Sequence, residues 1–281
     1  MDPAPHSLRS GRTPAPYPER MSTALLIPAA GSGTRLGAGL PKAFVPLAGR
    51  TLLARAVDGA VRSGVVDTIV IAAPAHLLQE AEDIARTAAE LVVTDPDQGT
   101  SGRGLGSTDA PEAVAAGPAP VTIRVVAGGE DRTVSVAAAL AAVPEAETVL
   151  VHDAARCLTP VDVFHRVHAA LQSGARAVVP VLPVTDTVRT QADDGTLRGG
   201  LDRASLRRVQ TPQGFRRAVL HAAHTVHLDD PDPVLTDDAG LVERIGTALT
   251  AVDGDEASLK ITHPLDLRIA QLILEDAGDP A

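Results

Sequence analysis

Apolar runs of strand length alternate with segments of helical period along most of the chain. "ALLIPAA" (24–30), "DTIVIAAP" (67–74), "VTIRVVAGG" (121–129), "ETVLVHDAA" (147–155) and "RAVVPVLPV" (176–184) read as strands. The first is apolar throughout, as a strand buried on both faces must be. Between them, "TLLARAVDGAVRSG" (51–64) and "HLLQEAEDIARTAAE" (76–90) read as helices, the former with a glycine stop. A further helix opens near Asp131, and "PVDVFHRVHAAL" (160–171) places Phe164, Val167 and Leu171 on one helical face. Later helices are predicted from 216, over 237–245 and from about 264. The two prolines of 176–184 predict an edge strand or a bend, because proline cannot donate to a ladder. Alternating βα units predict an α/β fold: a Rossmann-like, mostly parallel sheet with helices on both faces. Ligands then bind at the carboxyl ends of the strands. Three chemically odd loops leave those ends, at 28–42, 127–135 and 151–157, and are expected to converge on one crevice.

Three stretches depart from the alternation. Residues 1–20 are rich in proline and arginine, lack the apolar centre of a signal peptide, and are expected to form a disordered tail. Residues 94–120 are mostly Gly, Ser, Pro and Asp, and predict a flexible insertion. Residues 183–208 have a polar, glycine-containing middle that suits a protruding β-arm better than a core strand. The remainder of 21–281 is expected to be a single domain.

Composition narrows the function classes. The chain has 281 residues, 44% of them hydrophobic, enough for a substantial core. With 25 cations against 35 anions its net charge is −10, which argues against a nucleic-acid partner but not against a local cationic pocket. The longest apolar runs fall short of the roughly 18 residues that a membrane span needs. A single cysteine, Cys157, leaves no intrachain disulfide and fits a reducing, cytoplasmic setting. Three Phe, one Tyr and no Trp leave little for stacking, so any base must be read by main chain and small polar groups.

"PAAGSGTRLGAGLPK" (28–42) carries the clearest chemistry. It is not a P-loop, because Lys42 lies between Pro41 and Ala43. It is not a dinucleotide fingerprint either, because Leu36 takes the third glycine position and Pro41 would break the following helix. Glycines do let backbone N–H groups approach an anion, while Arg35 offers a planar fork and Lys42 a point charge. This combination suits a triphosphate.

That loop resembles the signature of sugar-nucleotide pyrophosphorylase-like nucleotidyltransferases. "VVAGGEDRTVSV" (125–136), "VLVHDAARCLTP" (149–160), "PVTDTV" (183–188), "LDRASLRRVQTPQGF" (201–215), "TDDAG" (236–240) and "LKIT" (259–262) follow in the order found in the 2-C-methyl-D-erythritol 4-phosphate cytidylyltransferase family. The resemblance covers about 24–275 apart from the insertion. It departs at Ala43, where glutamine is usual, at Cys157, where proline is usual, and at Thr133 and Val134, where an acidic residue commonly precedes the serine.

The resemblance implies attack by a sugar-alcohol phosphate on the α-phosphorus of CTP. By it, Arg35, Lys42, Arg203 and Lys260 are catalytic, and Ala29, Ala30 and Gly31 approach the nucleotide. Gly129, Glu130 and Ser135 read cytosine. Asp153, Arg156, Thr187 and Thr236 hold the second substrate. It also implies a divalent cation, Mg²⁺, held mostly by phosphate oxygens with no protein ligand named, and a homodimer whose arms cross between subunits. His152 reads as structural. His221, His224 and His227, spaced by three, read as a solvated helix face. A ribitol 5-phosphate cytidylyltransferase and a silent nucleotide-binding regulator remain as alternatives.

Overall fold

The computed structural model describes residues 21–94 and 120–278. The expected tail at 1–20 and nearly all of the expected insertion lie outside the described residues. An eight-stranded mixed sheet forms the centre. In chain order its first strands are β1 (Thr23–Pro28), then, after a two-strand ribbon β2 (Pro46–Leu47) and β3 (Arg50–Thr51), β4 (Thr68–Ala73), β5 (Thr122–Ala127) and β6 (Thr148–Val151). β7 (Ala177–Pro183) follows. A second ribbon, β8 (Thr190–Gln191) and β9 (Leu197–Arg198), precedes β10 (Arg207–Val209), β11 (Gln213–Arg216) and β12 (Thr250–Asp253). The helices are α1 (Leu52–Arg62), α2 (Leu78–Thr94), α3 (Arg132–Ala141), α4 (Val161–Gln172), α5 (Arg217–Asp229), α6 (Asp238–Arg244) and α7 (Pro264–Asp276).

β5, β4, β1 and β6 pair in parallel, with Leu26 opposite both Val70 and Val151. β11 enters antiparallel beside β6, β7 lies against β11, and β12 pairs with the far side of β7 in parallel. Alternate strand residues feed two cores. Leu25, Ile27, Ile69 and Ile71 pack with α1, α2, α4 and α7. Ala24, Leu26, Val70 and Ala72 pack with α3, α5 and α6. This two-faced burial is why the strands read as apolar runs. The chain turns one way from β1 through β4 to β5, then returns to β6. The reversal places a topological switch point between β1 and β6, where their carboxyl ends leave a crevice.

One expectation needs correcting. β7 is interior, not an edge, despite Pro180 and Pro183. Pro180 C=O accepts from Gln210 N–H at 2.8 Å. Its missing N–H therefore faces the break between β10 and β11, where no ladder bond is required. The protruding arm does form: 184–209 is exposed almost throughout and carries the β8–β9 hairpin.

Candidate active site

The three odd loops meet, as their positions at strand ends require. A cleft of about 380 Å³ is lined by 28–35, Lys42 and Ala43 from beyond β1, by 129–132 and Ser135 from beyond β5, and by 153–155 from beyond β6. Lys260 and Thr262 complete it from the segment before α7.

The first loop is held by its own backbone. Lys42 N–H donates to Gly31 C=O at 3.2 Å, folding the glycine turn back upon the lysine. Gly33 has φ +65°, and a Cβ there would lie 2.7 Å from Lys42 Cβ. Only glycine satisfies both the left-handed backbone and the close approach. The half-buried Lys42 ammonium loses hydration and faces Lys260 and Arg35, while Asp153 and Asp266 partly compensate. Its pKa falls from 10.5 to about 8, with burial the largest cause. Arg35 stands exposed in the short turn Thr34–Leu36.

The second loop closes over β1. A Cβ on Gly128 would sit 2.5 Å from Ala30 Cβ, so glycine lets the loops touch. Asp131 caps α3 by accepting from Val134 N–H at 2.8 Å. Ser135 is buried; its hydroxyl donates to Asp131 C=O at 2.8 Å and accepts Gly129 N–H at 3.1 Å. Ser135 therefore shapes the loop that presents Gly129 and Glu130 to the cleft.

The third loop carries the charge centre. Asp153 Oδ1 pairs with Arg132 Nε at 3.1 Å and Oδ2 with Lys260 Nζ at 2.8 Å. Burial alone would raise its pKa, but Arg132 and Lys260 outweigh burial and hold the carboxyl well below the usual range. Arg132 also reaches Asp238 with Nη1 at 2.6 Å, and Asp238 Oδ1 meets His224 Nε2 at 2.9 Å. His152 is buried, contacts Thr211 Oγ1 through Nδ1 at 3.0 Å and packs on Phe164; burial lowers its pKa to about 4. It is a neutral structural ring.

A sequence profile described as 2-C-methyl-D-erythritol 4-phosphate cytidylyltransferase matches residues 23–103 and 105–276. The chain belongs to that family. It is 45% identical over 258 residues to the cytidylyltransferase of that name from Saccharopolyspora erythraea, covering 90% of this chain and all of the relative. It is 43% identical over 253 residues to that from Rhodococcus opacus, covering 90% of this chain and 95% of the relative. The crystal structure of the Thermus thermophilus cytidylyltransferase superposes with a TM-score of 0.64 at 30% identity, covering 91% of this chain and 100% of that one. The 4-diphosphocytidyl-2C-methyl-D-erythritol synthase of Anaerococcus prevotii has the same fold, with a TM-score of 0.72 at 24% identity over 92% of this chain and 97% of that one.

Against this family background, the cleft gathers Ala29, Ala30, Gly31, Arg35, Lys42, Gly129, Glu130, Ser135, Asp153 and Lys260. It does not gather Arg156, Thr187, Arg203 or Thr236. Arg156 turns away, donating to Ser258 C=O at 2.7 Å and Val209 C=O at 3.2 Å, and so ties the segment before Lys260 to β10. Thr187 is exposed on the arm, and Arg203 donates to Thr185 C=O at 3.0 Å within it. Thr236 is exposed just before α6. Two of the family departures are absorbed by packing: Ala43 and Cys157 are buried in the first core. Burial pushes the Cys157 thiol up to about 12, leaving it unreactive. His224 corrects the solvated-face expectation, since it is buried against Asp238 rather than exposed. Its neighbours Val219, Leu220 and Ala223 carried that signal, because they share its helical face. Arg132 and Asp238 were not foreseen as site residues.

Proposed function

We propose that the protein transfers CMP from CTP to 2-C-methyl-D-erythritol 4-phosphate, giving 4-diphosphocytidyl-2-C-methyl-D-erythritol and pyrophosphate, a step of non-mevalonate isoprenoid precursor synthesis. The observation that carries this reading is the convergence of Arg35, Lys42 and Lys260 on one cleft whose glycine loop opens its backbone to an anion. A phosphate oxygen of the alcohol phosphate attacks the α-phosphorus of CTP in line. One P–O bond forms, and the bond to the leaving pyrophosphate breaks. No protein nucleophile takes part, so the chain contributes position and charge. Arg35 and Lys42 neutralise charge growing on the phosphoryl oxygens. Lys260, steadied by Asp153, meets the attacking phosphate. Main chain at 129–130 reads the base.

No group of three His, Cys, Asp or Glu side chains among the described residues is arranged to hold a metal ion. Both Asp153 oxygens are already paired with cations. These residues do not fit a protein-built metal cage, so a divalent cation at this site would be held by oxygens of the triphosphate. Thr187 and Arg203 belong to the same reading only if the arm at 183–208 serves another cleft. We therefore place them in the site of a second copy of the chain, with Thr236 and Arg156 bordering the acceptor side.

The reading is tested by pyrophosphate release with each of four nucleoside triphosphates, paired with methylerythritol and ribitol phosphates. Turnover is expected with CTP and methylerythritol 4-phosphate. Preference for ribitol 5-phosphate, or for another base, would overturn it.

A further inference from the structure

We propose that the buried Asp238–His224 pair, acting through Arg132, is a positioning device that sets how Asp153 holds Lys260. The proposal rests on the functional reading above, in which Lys260 meets the acceptor phosphate.

Five side chains form one continuous polar line from the cleft into the space between α5 and α6. Lys260 Nζ meets Asp153 Oδ2 at 2.8 Å, and Asp153 Oδ1 meets Arg132 Nε at 3.1 Å. Arg132 Nη1 meets Asp238 Oδ2 at 2.6 Å, and Asp238 Oδ1 meets His224 Nε2 at 2.9 Å. The cleft end is exposed, at 44% for the Lys260 side chain, and the far end is buried, at 1% for Asp238 and 3% for His224. A buried carboxylate with two charged or polar partners is fixed, because leaving either partner unmet is costly.

The geometry gives Asp238 an influence on the cleft. A guanidinium is a rigid planar fork. Here the Nε edge faces Asp153 and Nη1, on the opposite side of the plane, faces Asp238, so the guanidinium is pinned at both ends and cannot pivot to bring Nη2 beside Nε onto Asp153 without leaving Asp238. Asp153 is thereby left with Oδ2 for Lys260. If Asp238 loses its charge, the fork is free to grip Asp153 with two donors and draw Oδ2 away from the lysine. Lys260 then loses its anchor, although Asp238 itself does not touch the cleft. His224 holds Asp238 Oδ1 and so keeps Oδ2 aimed at Arg132.

The experiment is a double-mutant cycle on the full chain with CTP and the alcohol phosphate, read by single turnover with enzyme in excess. Asp238→Asn is expected to lower kcat/KM for the alcohol phosphate about 10-fold and to change KM for CTP less than about 2-fold. In an Asp153→Asn background the same substitution should change kcat/KM less than about 2-fold, because the link it acts through is gone. A purely structural role predicts the same factor in both backgrounds, and that result would overturn the proposal. His224→Gln and His224→Leu guard against misfolding of Asp238→Asn. Gln keeps a donor and should match wild type. Leu should lose about 3-fold in the wild-type background and nothing in Asp153→Asn; equal loss in both, or no loss in either, counts against the device. Lys260→Ala separates the two levels. If it keeps full turnover, the functional reading falls and the proposal with it. If it loses turnover while Asp238→Asn and His224→Leu do not, only the positioning role fails.

Discussion

Replacing Lys42 by methionine keeps the stem and removes the ammonium. In the folded protein that ammonium is partly desolvated and crowded by Lys260 and Arg35, which takes its pKa from 10.5 to about 8. At about 1.4 kcal/mol per tenfold change this drop has a ceiling of about 3 kcal/mol. Solvent screening of a half-buried group reduces the net strain to about 1 kcal/mol. The sign follows from proton counting. Below pH 8 both folded and unfolded chains carry the proton, and the folded state bears the full cost. Between about 8 and 10.5 the unfolded chain holds more protons, so stability rises with pH. Lys42→Met should therefore be more stable than wild type by about 1 kcal/mol at pH 7 in urea unfolding, and the gap should close as pH climbs through that window. Its kcat should fall by about 10²-fold or more, the scale of losing one transition-state charge donor. In wild type, kcat/KM for CTP should decline above about pH 8, where free enzyme loses the ammonium. Pyrophosphate release across pH 6–10 measures both. A Lys42→Met protein with wild-type kcat, or one clearly less stable at pH 7, would refute the account.

Two further tests probe the loop and the arm. A Cβ at Gly31 meets nothing within 4 Å, whereas one at Gly33 strikes Lys42; Gly31→Ala should leave the unfolding midpoint in place and raise KM for CTP, and Gly33→Ala should lose about 1–2 kcal/mol of stability as well as activity. An unchanged KM in Gly31→Ala would show that nucleotide does not approach that backbone. Mixing inactive Lys42→Ala with inactive Arg203→Ala chains should restore part of the turnover, because a heterodimer has one cleft with neither lesion; no recovery despite subunit exchange, or a fully active monomer by sedimentation, would refute the crossed arm.

The centre of the sheet and its helices were legible because β1 and β4 alternate between two apolar cores and the long helices carry a 3.6-residue stripe. Boundaries also held where a cap marks them, as at Thr51 and Asp131, whose side chains accept from Ala54 and Val134 N–H. β7 misled because proline rules describe a regular ladder, and the break between β10 and β11 exempts Pro180. The glycine loop was legible because its chemistry is local: Gly31, Arg35 and Lys42 lie within twelve residues. The charge line was not. Arg132 joins acids 21 and 106 residues away, a pairing created only when β6 and the start of α6 pack beside α3. No local pattern around "EDR" distinguishes such an arginine from a solvated one.

The same long-range pairing explains how a strongly anionic chain keeps a cationic cleft. Arg35, Lys42, Arg132 and Lys260 line it together with Glu130, Asp131 and Asp153, and Asp153 is the carboxylate that pairs with Arg132 and Lys260. Asp153 neutralises part of that charge without covering Lys42, whose pKa is lowered first by burial and then by repulsion from Lys260 and Arg35. A triphosphate entering the glycine loop relieves that repulsion, so part of its binding energy comes from strain already present in the free protein. The relief is largest where negative charge is most concentrated, on the oxygens around the reacting phosphorus. Arg132 takes Oδ1 of Asp153 and Lys260 takes Oδ2, so neither oxygen is spent on Lys42. Asp238 acts on the acceptor side of this balance: it divides Arg132 between two acids and so leaves Asp153 Oδ2 to Lys260.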